Sequence, residues 1–258
     1  MIQSQSGPTF KKEIMPSVQK HNSDTTSQNF IDADEQVVSK ADATLRDMRL
    51  DLITGALKPG ARVKIHELTD RYNVSQTIVR EVLPKLAAEG LLVGIAQKGF
   101  QVAKTSLADV KELTELRIDL EVPALRLAIE HGGTEWEVGI LRAQHMMRKY
   151  VRDQKGAERA EQTTGWIKVH ADFHSSLIAS CPSARRRQYC RILFDQSSRY
   201  FFLAANALLN SADNLDSHIL LADIVLVGDL EHATKMMHDH IERAYVDVKT
   251  HMLTQEAC

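Results

Sequence analysis

The chain has 258 residues, which is enough for two domains and a sizeable buried core. Hydrophobic residues make up 43% and charged residues 26%, and 32 Lys and Arg against 34 Asp and Glu give a net charge of −2. These values exclude a collagen-like chain, a wholly disordered chain and a uniformly basic nucleic-acid coat protein, but not a locally basic domain.

Residues 1–35 are polar, and Ser, Thr, Gln and Asn dominate stretches such as HNSDTTSQNF. Apolar residues are too sparse here for a helical or strand period, and too few to offset the entropy of ordering the chain. The sequence therefore predicts a disordered polar tail.

Residues 36–105 show a succession of helix signals followed by a hairpin signal. The first helix ends at the turn GALKPG, residues 55–60, and the second ends at Asn73. Ser75 is placed to N-cap the third helix. The stretch LLVGIAQKGFQVA then predicts two short strands joined by a turn at Lys98-Gly99. The order helix, helix, turn, helix, hairpin predicts a winged helix-turn-helix.

The charge distribution supports a DNA-binding role for this segment. Residues 36–105 hold eleven Lys and Arg and seven Asp and Glu, a net charge of +4, so the rest of the chain carries −6. A basic module joined to an acidic remainder is typical of a DNA reader with a separate second domain.

The N-terminal residues of the third helix are the candidates for base contact, because that end of the second helix of a helix-turn-helix enters the major groove. Gln can contact adenine, Arg can contact guanine or phosphate, and hydroxyls suit phosphate oxygens. Including the wing tip, the predicted DNA-contacting residues are Ser75, Gln76, Thr77, Arg80, Lys98 and Gly99. Alternatively, Ser75 is only an N-cap and Arg80 only pairs with Glu67 or Glu81.

Residues 106–258 carry helical periodicity throughout. Helices are predicted near residues 107–131, 134–152, 163–180, 184–210, 216–227 and 229–255. Six helices with short connections predict an all-α bundle. We expect breaks at Gly156, at Pro182 and at Gly228.

Cysteine usage and apolar runs indicate the compartment. Cys181, Cys190 and Cys258 form no C-x-x-C pair, and free thiols suit a reducing cytosol. No run approaches 18 apolar residues, and the first residues lack a secretory pattern. We therefore expect a cytoplasmic protein without a membrane contact.

Four histidines of the helical segment form a candidate metal site. His170 and His174 stand at i, i+4 on one helix face, and His218 and His240 lie on the fifth and sixth predicted helices. A bundle can aim these four imidazoles at one interior point, where they suit Zn, Ni, Co or Cu. Spacing alone does not exclude three rival histidines, which are His145, His232 and His238.

Residues 55–103 resemble the winged helix-turn-helix of the GntR family of bacterial transcription regulators. The motifs are L-x-P-G at 57–60, V-S-x-T-x-V-R-E at 74–81, L-x-x-E-G-L at 86–91 and K-G-F-x-V at 98–102. Two positions depart from the family, which commonly has Arg at the positions of Gln76 and His66. The resemblance therefore implies a DNA reader whose operator differs from the usual one.

Residues 106–258 resemble the FadR-type C-terminal domain of this family, the FCD effector domain. The matching stretches are L-x-x-L-R-x-x-L-E at 113–121, F-H-x-x-L at 173–177, and the series His218, Asp229, His240. The resemblance implies metal ligands at His174, His218 and His240. The fourth ligand, usually Asp, is His170 here.

The exchange of Asp for His170 changes the expected metal chemistry. Four neutral imidazoles leave a divalent site with a net charge of +2, which favours anionic effectors and nitrogen-loving metals. We therefore expect zinc, or alternatively nickel or cobalt.

Two arginines are candidates for binding the effector. The resemblance implies that Arg117 lies in the effector cavity, where its guanidinium can hold a carboxylate. The alternative is an i, i+4 ion pair with Glu121 on the helix surface. Arg199 lies on a helix that can also line the cavity.

The sequence thus predicts a homodimeric repressor that binds a palindromic DNA operator and responds to a small carboxylate at its metal site. One alternative is a DNA-binding regulator whose metal is purely structural. Another is a metal-dependent hydrolase, but the chain lacks H-E-x-x-H and a carboxylate suited to act as general base, so we expect no enzyme.

Overall fold

In the computed structural model of the protein, residues 39–153, 159–208 and 212–256 are described. The predicted tail, residues 1–35, and the expected break at Gly156 lie outside them. Within the described residues, no helix is both long enough and apolar enough to cross a membrane.

The N-terminal part folds as a winged helix-turn-helix. Its helices are α1 (Lys40–Ile53), α2 (Ile65–Tyr72) and α3 (Gln76–Ala88), and its hairpin strands are β2 (Leu92–Ile95) and β3 (Gly99–Val102). A further strand, β1 (Arg62–Val63), pairs antiparallel with β3, so the sheet order is β1-β3-β2. The sequence does not predict β1, because two residues cannot show an alternating pattern.

Capping interactions fix the ends of these helices. Asn73 closes α2 in the left-handed conformation, with φ of 50°. The hydroxyl of Ser75 accepts a hydrogen bond from the backbone N–H of Ile78 at 3.4 Å and starts α3. The predicted helix end at Asn73 and the predicted N-cap at Ser75 are therefore confirmed.

The winged helix has its own apolar core, which fixes the orientation of α3. The core side chains come from all three helices and from the hairpin, and each is at least 97% buried. They are Met48, Leu52, Leu68, Val79, Val82, Leu83, Leu86, Leu91, Leu92 and Val102. Because Val79, Val82, Leu83 and Leu86 lie on the core face of α3, the opposite face is left to solvent.

The remainder of the described chain is an all-α bundle. Its helices are α4 (Leu107–His131), α5 (Thr134–Asp153), α6 (Arg159–Leu177), α7 (Ala184–Leu208), α8 (Ala212–Val227) and α9 (Leu230–Glu256). The predicted fold class, a winged helix-turn-helix followed by about six helices, is confirmed. The helix predicted near residues 216–227 begins earlier, at Ala212, so His218 lies in its second turn.

Helix packing creates the interior in which the histidines lie. α4 packs against α7 and α9, α5 packs against α6 and α8, and α7 also contacts α1 of the winged helix. The bundle core includes Leu125, Ile140, Met147, Phe173, Leu177, Leu221 and Met237, each fully buried. Because α6, α8 and α9 contribute to one core, their inward faces can meet.

Candidate metal centre and nucleic-acid interface

The solvent face of α3 presents the predicted DNA-contacting residues. Ser75, Gln76, Thr77 and Arg80 are all exposed. Among the described residues Arg80 forms no ion pair, because its two possible partners are engaged elsewhere. Glu67 binds Lys64 at 2.7 Å, and Glu81 binds Lys85 at 2.8 Å. The guanidinium of Arg80 is therefore available to a polyanion.

The wing tip lies between β2 and β3. The backbone N–H of Lys98 donates to the carbonyl oxygen of Ile95 at 2.9 Å, which closes the turn. Gly99 follows with φ of 79°, a left-handed conformation that favours glycine. Lys98 and Gly99 are exposed, so the tip can approach a groove or a phosphate.

Three helices bring four histidines together. α6 supplies His170 and His174, α8 supplies His218, and α9 supplies His240. One potential ligand atom from each lies within 4.8 Å of the other three. The Nε2 atoms of His170 and His218 are 2.8 Å apart, and those of His174 and His170 are 3.1 Å apart. We call these four residues the histidine cluster.

Aromatic side chains pack against the histidine cluster. Trp166 stacks on His170 with ring centroids 5.5 Å apart. Phe194 lies 5.3 Å from the His170 ring and 5.0 Å from the His174 ring. Burial lowers the pKa of His170, His174 and His240, and the neighbouring imidazoles or Arg117 lower it further. These three imidazoles are therefore neutral at pH 7, the form that binds metal.

The donor set fits a divalent transition metal. In a tetrahedral site with bonds of 2.0–2.1 Å, neighbouring ligand nitrogens lie about 3.4 Å apart, near the separations between His170 and its neighbours. The Nδ1 atom of His174 is buried without a hydrogen-bond partner among the described residues, so its polar contacts there are made through Nε2. The Nε2 atom of His170 lies 2.8 Å from that of His218 and 3.1 Å from that of His174, and nitrogens at these distances share either a proton or an ion.

The rival histidines lie away from the histidine cluster. His145 and His232 are exposed, and His238 lies beside Asp239 and Glu242 at the surface of α9. In that second group Asp239 binds Lys235, so its charge is already compensated. The exposed group has the character of a solvated helix face.

A cavity of about 250 Å³ adjoins the histidine cluster. Its lining residues are Glu121, His174, Ser175, Ile178, Ala179, Arg187, Cys190, Arg191 and Phe194. His174 belongs both to this wall and to the histidine cluster. Burial raises the pKa of the Cys190 thiol to about 12, so the thiol stays protonated and is a poor nucleophile.

Arg117 is buried, and its guanidinium is held by Glu121. Its Nε and Nη2 donate to the two carboxylate oxygens of Glu121 at 2.6 and 3.2 Å. The ion pair with Glu121, which the sequence analysis gave as the alternative for Arg117, is therefore present. Both side chains are at least 95% buried, so the pair does not lie on the helix surface as that alternative assumed. Glu121 lines the cavity, whereas Arg117 is not among its lining residues and stands over the ring of Phe194.

Arg199 is not brought to the cavity. It donates to the backbone carbonyl of Ala103, at the contact between α7 and the winged helix. Because Arg199 follows Phe194 by five residues, it lies about 140° around the helix from the face that lines the cavity. That rotation turns Arg199 away from this cavity wall.

Sequence reasoning missed the cationic mouth of the cavity. Arg187, Cys190, Arg191 and Phe194 follow one another at i, i+3, i+4 and i+7, which is one face of α7. That spacing was a usable signal. The run ARRRQ, residues 184–188, has the composition of a solvated helix start, which conceals this face in the sequence.

Both parts of the chain match known families. Residues 40–102 match the family described as bacterial regulatory proteins, gntR family, and residues 112–243 match the FCD domain.

Individual relatives agree with these matches. The chain is 34% identical over 206 residues to BphR, an uncharacterized HTH-type transcriptional regulator of Paraburkholderia xenovorans, covering 80% of this chain and 84% of the relative. It is 30% identical over 200 residues to the HTH-type transcriptional repressor GlaR of Escherichia coli, covering 76% and 90%. The solved structure of McbR from Escherichia coli has the same fold, with a TM-score of 0.70, 20% identity and coverage of 83% and 98%.

Proposed function

This chain belongs to the gntR family of bacterial regulatory proteins and carries an FCD domain, and from this premise we propose that it represses transcription until a small organic acid binds in its helical domain. The relatives are transcription regulators and not enzymes. The proposal that the chain represses transcription, and does not activate it, is supported by GlaR, which is named a transcriptional repressor.

The observation that carries the proposal is the double role of His174. One side of this residue faces the other imidazoles of the histidine cluster, and the residue also forms part of the cavity wall. A ligand in the cavity therefore lies next to any ion that the cluster holds. Arg187 and Arg191 in the same wall favour an anionic ligand, because their charges attract a carboxylate.

We propose zinc as the resident metal, with nickel or cobalt as alternatives, because all four donors are imidazole nitrogens. His170, His174, His218 and His240 would hold the ion. When bound, such a metal supplies a Lewis-acid position that a carboxylate oxygen of the effector can occupy. Phe194 and Trp166 pack against His170 and would shield such an ion from part of the solvent, which would strengthen its attraction for a carboxylate.

The DNA-binding proposal rests on the exposed face of α3 and the wing tip. In a homodimer, two copies of α3 would enter successive major grooves, so the operator would be a short palindrome. Ser75, Thr77, Arg80 and Lys98 would contact DNA, and Gln76 would read a base other than the one the family's usual Arg reads.

Fluorescence anisotropy with a duplex taken from the region upstream of the chain's own gene tests the DNA half. We expect salt-sensitive binding that Arg80→Ala weakens about tenfold or more, since one specific base or phosphate contact is lost. Arg126→Ala removes an exposed arginine of α4 and serves as the matched control, with unchanged affinity. Equal losses in both variants would contradict the assignment of α3.

The alternative, a purely structural metal, is favoured by one observation: four imidazoles can saturate a tetrahedral ion. Thermal-shift measurements with succinate and citrate, before and after chelation, separate the two functions. A stabilisation by carboxylate that disappears after chelation and in His240→Ala supports sensing through the metal. A loss of melting temperature on chelation, with no response to either carboxylate, supports the structural role.

A further inference from the structure

Helix α7 contacts both parts of the molecule. Arg191 and Phe194 line the cavity beside the histidine cluster. Within the next turn, Asp195 and Gln196 reach the winged helix. The residues of α7 that line the cavity and those that contact the winged helix are therefore within about one helical turn of each other.

Asp195 is shared between two arginines from different parts of the chain. Its Oδ1 accepts a hydrogen bond from Nε of Arg191 at 3.1 Å, and its Oδ2 lies 3.7 Å from Nε of Arg49 in α1. The side chain of Asp195 is only 9% exposed, so these cations replace most of its water. Burial raises the pKa of Asp195, and the charges of Arg191 and Arg49 oppose that rise.

Arg49 joins Asp195 to the end of the DNA-reading helix α3. Its Nε and Nη2 donate to the carboxylate of Glu89, the C-cap of α3, at 2.9 and 2.6 Å. Gln196 of α7 donates to the backbone carbonyl of the same Glu89 at 2.8 Å. An ionic row, Arg191–Asp195–Arg49–Glu89, thus runs from the cavity to the end of α3.

We propose that Arg191 is the residue through which an anion in the cavity is sensed, and that Asp195 transmits this contact to the winged helix. The inference rests on the proposed function, since it assumes an anionic effector. The side chain of Arg191 is 48% exposed and can turn from Asp195 toward a carboxylate in the cavity. Asp195 is then left with Arg49 as its neighbouring cation.

The redistribution of charge moves the reading helix. When Asp195 no longer shares its charge with Arg191, it attracts Arg49 more strongly, which tightens α1 against α7. The same attraction weakens the hold of Arg49 on Glu89 and so frees the end of α3. The effector favours this arrangement because only there can Arg191 bind it fully, which is the differential interaction that allostery requires.

Hydrogen–deuterium exchange of the full chain tests this coupling without the effector. Arg191→Gln imitates an arginine drawn away from Asp195. We expect the amides of α1 to exchange about threefold more slowly, the size of a change in one partly exposed ion pair. In an Asp195→Asn background, Arg191→Gln should have no effect, because the shared carboxylate is gone.

Two matched variants control for charge and for packing. Arg185→Gln removes an exposed arginine of α7 that does not line the cavity, and should leave α1 exchange unchanged. Arg191→Lys keeps a cation at the same position and should retain wild-type exchange.

Unchanged or faster exchange in Arg191→Gln overturns the proposal, as does an equal change in the wild-type and Asp195→Asn backgrounds. These outcomes are independent of the proposed function. A failure of DNA binding or carboxylate sensing appears in the anisotropy and thermal-shift measurements of the wild-type protein, whereas the exchange cycle reports only on the ionic row.

Discussion

His170 is the member of the histidine cluster whose side-chain type would decide the charge of a bound metal ion. Its Nε2 lies 2.8 Å from that of His218 and 3.1 Å from that of His174. A divalent ion held by four neutral imidazoles keeps a charge of +2, whereas one carboxylate would reduce it to +1. The identity of this single residue therefore affects both the choice of metal and the attraction for an anion.

Replacing this imidazole should change the metal preference. We expect His170→Asp to retain a metal but to lower its preference for zinc over manganese by about tenfold or more, because carboxylates suit manganese and imidazoles suit zinc. Elemental analysis after equal supply of both metals measures the ratio. His232→Asp, at an exposed position away from the histidine cluster, should leave it unchanged. An unaltered ratio in His170→Asp would rule out a ligand role.

Buried neutral histidines also make the metal-free protein sensitive to acid. Burial lowers the pKa of His170, His174 and His240 in the folded state, whereas the unfolded chain has a pKa of about 6.5. Below that pH the unfolded chain binds more protons, so the free energy of unfolding falls as the pH falls toward the lowered pKa values. Together these three histidines make the free energy of unfolding change by up to about 4 kcal/mol per pH unit.

Urea unfolding of chelated protein between pH 7.5 and 5 measures this slope. His240→Gln should reduce it by about 1.4 kcal/mol per pH unit, the contribution of one group. A variant with the same slope as the wild-type protein would show that His240 does not take part.

At the scale of elements, α7 combines two functions by using different faces. The face with Cys190 and Phe194 lines the cavity, and the face with Gln196 and Arg199 contacts the winged helix. The winged helix packs closely against α7 at Gly90, where an added Cβ atom would lie 2.5 Å from Nε2 of Gln196. Gly90 also has φ of 72°, so both its conformation and its surroundings favour glycine.

Gly90→Ala should therefore destabilise the protein for two reasons. Left-handed strain costs about 1–2 kcal/mol, and the displacement of Gln196 adds to this cost. Gly99→Ala is the matched control, because Gly99 has φ of 79° but open space around the added carbon. Urea unfolding should show a larger loss for Gly90→Ala, and a Gln196→Ala background should remove the difference. If Gly90→Ala and Gly99→Ala lose equal stability in the wild-type background, the contact with Gln196 of α7 adds no cost at Gly90.

At the scale of the whole molecule, exposed apolar side chains mark a candidate surface for the expected homodimer. Val138 and Leu141 of α5 and Leu220 and Val227 of α8 are 49–81% exposed on two helices that pack together. The exposed cations of α5 are Arg142, Arg148, Lys149 and Arg152, of which Arg152 pairs with Asp153, and α5 also exposes Glu135 and Glu137 in its first turn. Among the described side chains of α8, the exposed acids are Asp216 and Asp223. A two-fold axis can place α5 of one copy against α8 of the other, which pairs opposite charges around an apolar centre.

Leu220→Arg should therefore weaken the dimer. We expect the dissociation constant to rise about 100-fold or more, because each dimer would bury two unpaired charges. Sedimentation velocity at micromolar concentration measures the change. Leu253→Arg, at a residue of α9 that is 46% exposed, should remain dimeric. If Leu253→Arg dissociates and Leu220→Arg does not, the interface lies on α9.

Local patterns in the sequence predicted which segments are helical, the winged helix-turn-helix and the placement of His170 and His174 on one helix face, although several helix ends differ from the structure by a few residues. Periodicity, caps and turns depend on residues only a few positions apart, so they can be predicted without knowledge of packing. The four cluster histidines were also named correctly as a set that could meet, although spacing alone could not reject His145, His232 and His238.

Only the tertiary structure decided which side chains face each other. It brought His218 and His240 to the pair on α6, buried Arg117 with Glu121, turned Arg199 toward Ala103, and placed Asp195 between Arg191 and Arg49. Each of these outcomes depends on the rotation and crossing of helices that are distant in sequence. Successive side chains of a helix point about 100° apart, so adjacent residues face different partners. No local pattern in the sequence predicts how helices that are distant in sequence pack against each other.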